Sequence, residues 1–306
     1  MFANAIELVE KFTRPIKFIT RNHKGTNVIP GAATLFFVND DGYAVTCKHV
    51  AEQISLAEHI KKNYKSYKEE LNNLPKDNKQ RAAIKKLEQK YGLNSRTPAQ
   101  MEVQWTDCVA NCTSIQYKMH PKHDVAIIKF NGFDRVCYSG HAVFAKDCNA
   151  IRRGDQLCRI GFPFPEFRDF GYDATRDELF WDATKKISTP LFPLDGMFTR
   201  QIVNQFGEVF GIELSTPGLR GQSGGPLFAQ NGLIYGMQFS TRHLHLGFDM
   251  VDENMMINGR QMKINNQPFL HVGMCVNAEI IKDFLNENKI KYYVGTDPSN
   301  EEVVNG

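Results

Sequence analysis

The chain has 306 residues, enough for a buried core and for either one decorated unit or two domains. With 42% hydrophobic and 23% charged residues it has a globular composition, which excludes a wholly disordered, collagenous or solenoid chain. Thirty-seven basic residues against 34 acidic ones leave a formal net charge of +3, so no general affinity for polyanions follows and nucleic acid is not an expected partner. No run approaches the roughly 18 consecutive apolar residues of a membrane span, so no membrane partner is expected either.

The first 27 residues read as a lead-in helix, with Ile6, Val9 and Phe12 at a spacing of three and Pro15 as its stop. Glu7 and Glu10 stand where a signal peptide would carry its apolar segment, which argues against secretion. The cysteines at 47, 108, 112, 137, 148, 158 and 275 are scattered and odd in number, as befits reduced thiols and a cytoplasmic location. Cys108 and Cys112 near His120 and His123 lack the common spacing of a zinc site, so no metal is expected.

From Pro30 the period becomes two. Residues 33–38 form a strand, Asn39-Asp40-Asp41-Gly42 supplies turn chemistry, and residues 43–47 form its hairpin partner. Further strands are expected at 101–105, 113–119, 125–130, 156–161, 197–203, 209–214, 233–239 and 270–276. Many short strands with few helices between them suggest antiparallel β-barrels or a sandwich. Two passages depart from this. In the first, Ile60, Tyr64, Tyr67 and Leu71, then Ile84, Leu87 and Tyr91 after a turn at Leu74-Pro75, have helical spacing and form a helical hairpin at about 53–98. Its exposed faces are basic, with ten Lys/Arg against four acidic residues over positions 61–90. That face reads as a solvated helix surface or, alternatively, as a docking patch for a regulatory partner or nucleic acid. The second departure is a helix over 277–288, capped by Asn277 and burying Ile280, Ile281, Phe284 and Leu285.

The chemistry gathers at Gly221-Gln222-Ser223-Gly224-Gly225-Pro226, where glycines let a backbone turn tightly and bring N–H groups close to a substrate carbonyl. The string also satisfies the Gly-x-Ser-x-Gly pattern of an esterase elbow, but Pro226 and the β pattern after it take the place of the helix an esterase requires. A histidine and an aspartate lie upstream. His49 follows the hairpin strand in Thr46-Cys47-Lys48-His49-Val50, and Asp124 precedes a strand in His123-Asp124-Val125-Ala126-Ile127-Ile128.

The chain order His, Asp, Ser and these three segments resemble trypsin-like serine peptidases, most closely the bacterial HtrA-type peptidase domain. Arg153-Gly154-Asp155, Ile160-Gly161-Phe162-Pro163-Phe164 and Leu233-Ile234-Tyr235-Gly236-Met237 resemble that branch too. The resemblance implies two antiparallel β-barrels of chymotrypsin type. These would occupy 28–150, holding the helical insertion, and 151–276, followed by a helix and extension at 277–294 and a flexible tail at 295–306. It implies an endopeptidase acting on a protein or peptide substrate without a cofactor. Ser223 would be the nucleophile, His49 the base, Asp124 its orienting acid, and Gly221 and Ser223 the oxyanion donors. The substrate pocket would use Pro217, Gly218, Leu219 and Arg220, faced by Gln238, Phe239 and Ser240. Pro217 carries no acid, which argues against a basic P1 residue and toward an uncharged one; His243 and His245 are an alternative acid-binding pair or an incidental surface pair. Gln222 and Val50 depart from the digestive members, since Gln222 removes the zymogen salt bridge and Val50 a disulfide. No PDZ-type domain is expected to follow the peptidase. Loops at 163–195 and 241–267 would flank the cleft. A second reading keeps the fold as a latent or regulated interaction module switched on by a protein or nucleic-acid partner at the basic helical hairpin.

Overall fold

The computed structural model describes residues 1–75, 78–185, 189–247, 250–257, 260–266 and 268–306. Lys76, Asp77 and Gln267, which fall in the basic hairpin and the second long loop, lie outside the described residues.

The first half runs α1 (Ala3–Val9), β1 (Thr13–Asn22), β2 (Val28–Phe37), β3 (Tyr43–Thr46), α2 (Lys48–Asn72), α3 (Gln80–Lys90), β4 (Pro98–Trp105), β5 (Val109–Ala110), β6 (Ser114–Met119), β7 (Ala126–Asn131) and β8 (Arg135–Val136). Six of these strands form one antiparallel sheet in the order β4-β1-β2-β3-β7-β6. The sheet curls into a half-barrel, and α2 packs on both of its outer strands, β4 and β6. A cavity of about 200 Å³ remains between them, walled by Ile54 and Ala57 of the helix, Met101 and Val103 of β4, and Ile115 and Tyr117 of β6.

The lead-in expected as a helix over 1–27 is helical only through α1 and a short 3₁₀ turn; Thr13–Asn22 is an interior strand. Ile16 and Phe18 face the main core, while Lys17 and Arg21 on the other face are almost fully buried by the loop that follows Phe162. Lys17 Nζ meets Asp169 Oδ2 at 3.1 Å and Arg21 Nη2 meets Asp177 Oδ1 at 2.7 Å. Charged residues in a buried strand therefore have partners that a local reading does not see.

The second half runs β9 (Val143–Ala145), β10 (Gln156–Gly161), β11 (Phe170–Asp173), β12 (Glu178–Trp181), β13 (Phe192–Val203), β14 (Val209–Leu214), β15 (Pro226–Phe228), β16 (Ile234–His245), β17 (Met250–Ile257), β18 (Arg260–Asn266), β19 (Phe269–Asn277), α4 (Ala278–Glu287), β20 (Tyr292–Gly295) and β21 (Glu301–Val304). Strands β15-β10-β13-β14-β19-β16 close into a barrel through the β15–β16 pairing. Its interior holds Leu157, Phe198, Ile212, Leu214, Leu227 and Cys275. A larger core, with Phe36, Phe37, Phe130, Phe144 and Phe228, joins the two halves and takes in α1 and α4. Helix α4 begins where Asn277 Oδ1 accepts the Glu279 N–H at 2.9 Å, a side-chain N-cap. Residues 295–306, expected as a flexible tail, instead include β21, which pairs with β20 in register Tyr292↔Val304 to Gly295↔Glu301. The side chains of Glu301 and Glu302 hold it through His141 at 3.0 Å and Lys146 at 2.8 Å.

The insertion has its own small core of Tyr64, Tyr67, Leu87, Leu93 and Ala99. Glu70 ties its two helices by accepting from Lys90 Nζ at 2.6 Å and Tyr91 OH at 2.7 Å. Helix α2 begins at Lys48, five residues before the expected boundary at 53, so the insertion is continuous with the segment that carries His49.

Candidate active site

Strand β3 ends at Thr46, Cys47 stays extended, and His49 falls in the first turn of α2. The first N–H groups of a helix have no partner within it. Asp124 supplies one, since its Oδ1 accepts the His49 backbone N–H at 2.9 Å while its Oδ2 sits 2.7 Å from His49 Nδ1. One carboxylate, placed just before β7, thus fixes both the helix start and the ring that projects from it. The imidazole is 40% exposed, so its opposite edge is open to a ligand.

The Ser223 loop is locked to the same spot from the other half. The Gln238 carbonyl accepts Gly224 N–H at 2.9 Å and Cys47 Sγ–H at 3.2 Å, joining a neighbour of Ser223 to a near neighbour of His49. Thr34 N–H donates to Ser223 O at 2.9 Å, and Thr34 Oγ1 donates to Gly221 O at 2.7 Å. Gly224, at φ +87°, has room for no Cβ: one there would strike Thr34 O and Thr46 Oγ1. Among the described residues, neither the Ser223 hydroxyl nor His49 Nε2 has an intramolecular hydrogen-bond partner, and such bonds commonly tighten only when substrate is present.

The backbone donors of the loop divide cleanly. Gln222 N–H bonds to Leu219 O at 3.0 Å, Gly224 to Gln238 O, and Gly225 to Gln222 O at 2.8 Å. The N–H groups of Gly221 and Ser223 have no partner among the described residues. Gly221 holds φ +93°, and a Cβ there would strike the Phe162 carbonyl and come within 2.7 Å of Pro163 Cα. The sequence around Ser223 therefore presents two adjacent donors with nothing inside the chain to satisfy them.

The residues expected to form the substrate pocket have the following surroundings. Gly218 O accepts from Thr241 Oγ1 at 2.7 Å, and Leu219 N–H donates to Gln222 Oε1 at 3.1 Å. Gln222 is fully buried and also donates from Nε2 to Phe192 O at 3.2 Å, so it anchors the loop internally. Gln238 is buried, its Nε2 donating to Ser240 O at 2.6 Å. Arg220 is exposed and Phe239 half-buried beside the main core. His243 meets His271 across β16 and β19 with Nδ1 atoms 2.5 Å apart, two residues beyond Thr241 along β16.

Cys47, His49 and Asp124 bring ligand atoms within 4.8 Å of one another, the only such group among the described residues. It is not a metal cradle, because the Cys47 thiol donates to a carbonyl and His49 Nδ1 is engaged by Asp124. Burial, aided by the Asp124 charge, pushes the Cys47 thiol far up and keeps it protonated. Cys108, Cys112, His120 and His123 do not assemble; Cys108 Sγ bonds to Thr106 O, Cys112 Sγ to Ser114 O, and His120 Nδ1 accepts backbone N–H groups of Lys122 and His123. Burial holds both His120 and His123 below the usual histidine range.

The loop after Phe162 was expected to flank the cleft. It starts against Gly221 and runs across the first half, where the hairpin β11-β12 presents Asp177 to Arg21, to Tyr64 OH at 2.8 Å and to Lys68 at 3.5 Å. Sequence reasoning missed Arg159, a fully buried arginine inside the closed barrel whose Nη2 donates to Thr216 O at 2.8 Å and Pro217 O at 2.6 Å. Its only sequence signal is a cation within an otherwise apolar strand.

Residues 33–237 match the family model of the trypsin-like peptidase domain. Among solved structures, the HtrA-type protease AlgW with decapeptide is similar at a TM-score of 0.48 and 13% identity, over 94% of this chain and 67% of that one. The same protease with tripeptide gives 0.46 and 15%, over 94% of this chain and 63% of that one. The chain thus spans about two thirds of the length of those structures. No curated protein matches the chain.

Proposed function

Because the chain belongs to the trypsin-like peptidase domain family, we propose that it is a serine endopeptidase working through Ser223, His49 and Asp124. His49 Nε2 takes the Ser223 proton as Oγ attacks the scissile carbonyl, Asp124 holds Nδ1–H and stabilises the imidazolium, and the proton then passes to the leaving amine. Water, deprotonated by the same histidine, releases the acyl group and restores Ser223. The N–H groups of Gly221 and Ser223 receive the oxyanion. No step calls for a metal or an organic cofactor. The observation that carries the reading is the pair of N–H groups on either side of Gln222 that have no partner among the described residues, in a loop fastened beside the His49–Asp124 pair.

The substrate is a protein or peptide, and we place the enzyme in the cytoplasm of a bacterium, acting on a dedicated partner protein. Incubation with a reduced, unfolded protein followed by mass spectrometry of the products tests the activity. The expected result is a set of new termini that is absent with Ser223→Ala; products that persist in that variant would contradict the reading.

One observation favours regulation through the insertion. Helix α2 carries His49 in its first turn, and its Tyr64 and Lys68 hold the loop that starts at the Ser223 site. Lys61, Lys68 and Lys90 are spent on internal partners, whereas Lys62, Lys65, Arg81, Lys85 and Lys86 stay exposed for a partner. Full activity of the purified protein on an unfolded substrate would count against an obligatory activator.

A further inference from the structure

Resting on the peptidase reading, we infer that the primary pocket takes an acidic P1 side chain and that Arg159 is the residue that selects it. Arg159 extends from β10 into the closed barrel, where Leu157 on the same face joins the apolar interior. It is 0% exposed, yet no carboxylate pairs with it among the described residues. Its three hydrogen bonds all come from Nη2, to the carbonyls of Thr216 and Pro217 and to Thr216 Oγ1 at 2.9 Å. Among the described residues Nε and Nη1 are buried without an oxygen or nitrogen acceptor, and the Cys275 sulfur is the polar atom that lies against the guanidinium. An arginine stays protonated even in such a place, so a full positive charge stands there with donors to spare.

The neighbours do not neutralise it. The Cys275 thiol lies beside the guanidinium, but burial pushes it up to about 11 and leaves it uncharged at pH 7. Asp195 acts only through space, without an ion pair. Burial depresses the arginine's own pKa, as expected of a charge without a counter-ion.

The position of this charge gives it a purpose. Pro217, whose carbonyl it holds, stands six residues before Ser223, at the base of the pocket read from the sequence. Two glycines let the backbone pack directly against Arg159 and Gln238. A Cβ on Gly273 would strike Nη1 and lie 3.0 Å from Cζ, and a Cβ on Gly218 would strike the Gln238 amide. Gln238 Nε2, resting on Ser240 O, is the other polar group at this level. A P1 carboxylate displaces that amide and meets donors on both sides, the pattern an acceptor-only group requires. A basic P1 meets like charge, and an apolar P1 leaves the guanidinium N–H groups unpaired. The uncharged P1 suggested by Pro217 alone gives way, because the deciding residue comes from a different strand.

The test uses the full chain and peptides identical except for Glu, Gln, Leu or Lys at P1, with kcat/KM for each. A fluorophosphonate probe run alongside shows whether Ser223 is competent. The expected Glu-to-Gln ratio is on the order of 10². It collapses toward one in Arg159→Gln, shown to be folded by its melting curve, and is partly kept in Arg159→Lys. Should Arg159→Gln fail to fold, the wild-type ratio and Arg159→Lys still decide. A probe-reactive wild type that cleaves after Gln, Leu or Lys as well as after Glu overturns the inference while leaving the peptidase reading intact. A folded protein that the probe does not label overturns the peptidase reading and this inference with it.

Discussion

Gly221→Ala places one methyl group beside the proposed oxyanion donors and leaves the side chains of Ser223, His49 and Asp124 untouched. Gly221 has φ +93°, and the new Cβ would strike the Phe162 carbonyl and reach 2.7 Å from Pro163 Cα, both backbone atoms that cannot rotate away. The left-handed conformation alone costs a non-glycine residue about 1–2 kcal/mol. The steric conflict adds to this, and the loop relieves both by shifting, which re-aims the Gly221 and Ser223 N–H groups. Loss of one well-aimed oxyanion donor costs about 10²–10³ in kcat, or roughly 3–4 kcal/mol of transition-state stabilisation. Gly207→Ala is the matched control, since Gly207 has φ +82° but nothing within 4 Å of the added carbon. It keeps the conformational cost without the collision. The assay is kcat on one peptide substrate, with thermal melting for each variant. Gly221→Ala is expected to lose at least about 10² in kcat while still melting cooperatively, and Gly207→Ala to stay within about threefold of wild type. Equal losses in the two variants, or near-normal turnover in Gly221→Ala, would refute the reasoning.

Asp124→Asn keeps an acceptor for the His49 backbone N–H but offers an amide to Nδ1, which favours the wrong tautomer; kcat/KM should fall by about 10³–10⁴, and a loss below tenfold would speak against the assigned pairing. Asp177→Ala leaves the almost fully buried Arg21 without its counter-ion and should cost about 2 kcal/mol in chemical denaturation, reduced from a fully buried pair because Asp177 is 29% exposed. Burial alone would raise the Asp177 pKa, but hydrogen bonds from Tyr64 and Tyr172 and the charges of Arg21 and Lys68 outweigh it and hold it below the usual range. The stability it contributes is therefore complete above the ordinary carboxyl pKa and lost as pH falls through the lower folded value; below about pH 4 the gap between wild type and Asp177→Ala should narrow, and a constant gap would contradict the linkage. Brief alkylation of the native protein should modify Cys137, which is exposed, and Cys112, which is half-buried, while the other five cysteines react only after unfolding; native modification of Cys47 would show that the floor of the site is open.

The segments that carry the proposed reacting residues were legible in the sequence because each is a short motif whose backbone is set locally. The hairpin strand before His49, the strand after Asp124 and the glycines around Ser223 all stand where the spacing places them. Strands β10 and β14 match the expected ranges, and the N-cap at Asn277 opens α4. What escaped depends on distant partners. Lys17 and Arg21 disguised β1 because Asp169 and Asp177 lie more than 150 positions away. Glu301–Val304 looked like a polar tail because β20 supplies its ladder and His141 and Lys146 its counter-charges. The start of α2 at Lys48 was hidden because its N–H acceptor, Asp124, is 75 residues downstream. Arg159 had no local meaning until the barrel closed around it and brought Pro217 and Gly273 to its guanidinium.

The central claim is that Ser223 is a nucleophile activated by His49. Labelling the folded protein with a fluorophosphonate and mapping the adduct by peptide mass spectrometry tests it directly. The account predicts a single adduct on Ser223, absent from Ser223→Ala and strongly slowed in His49→Ala. An adduct elsewhere, labelling that survives Ser223→Ala, or a folded wild type that does not react would contradict it.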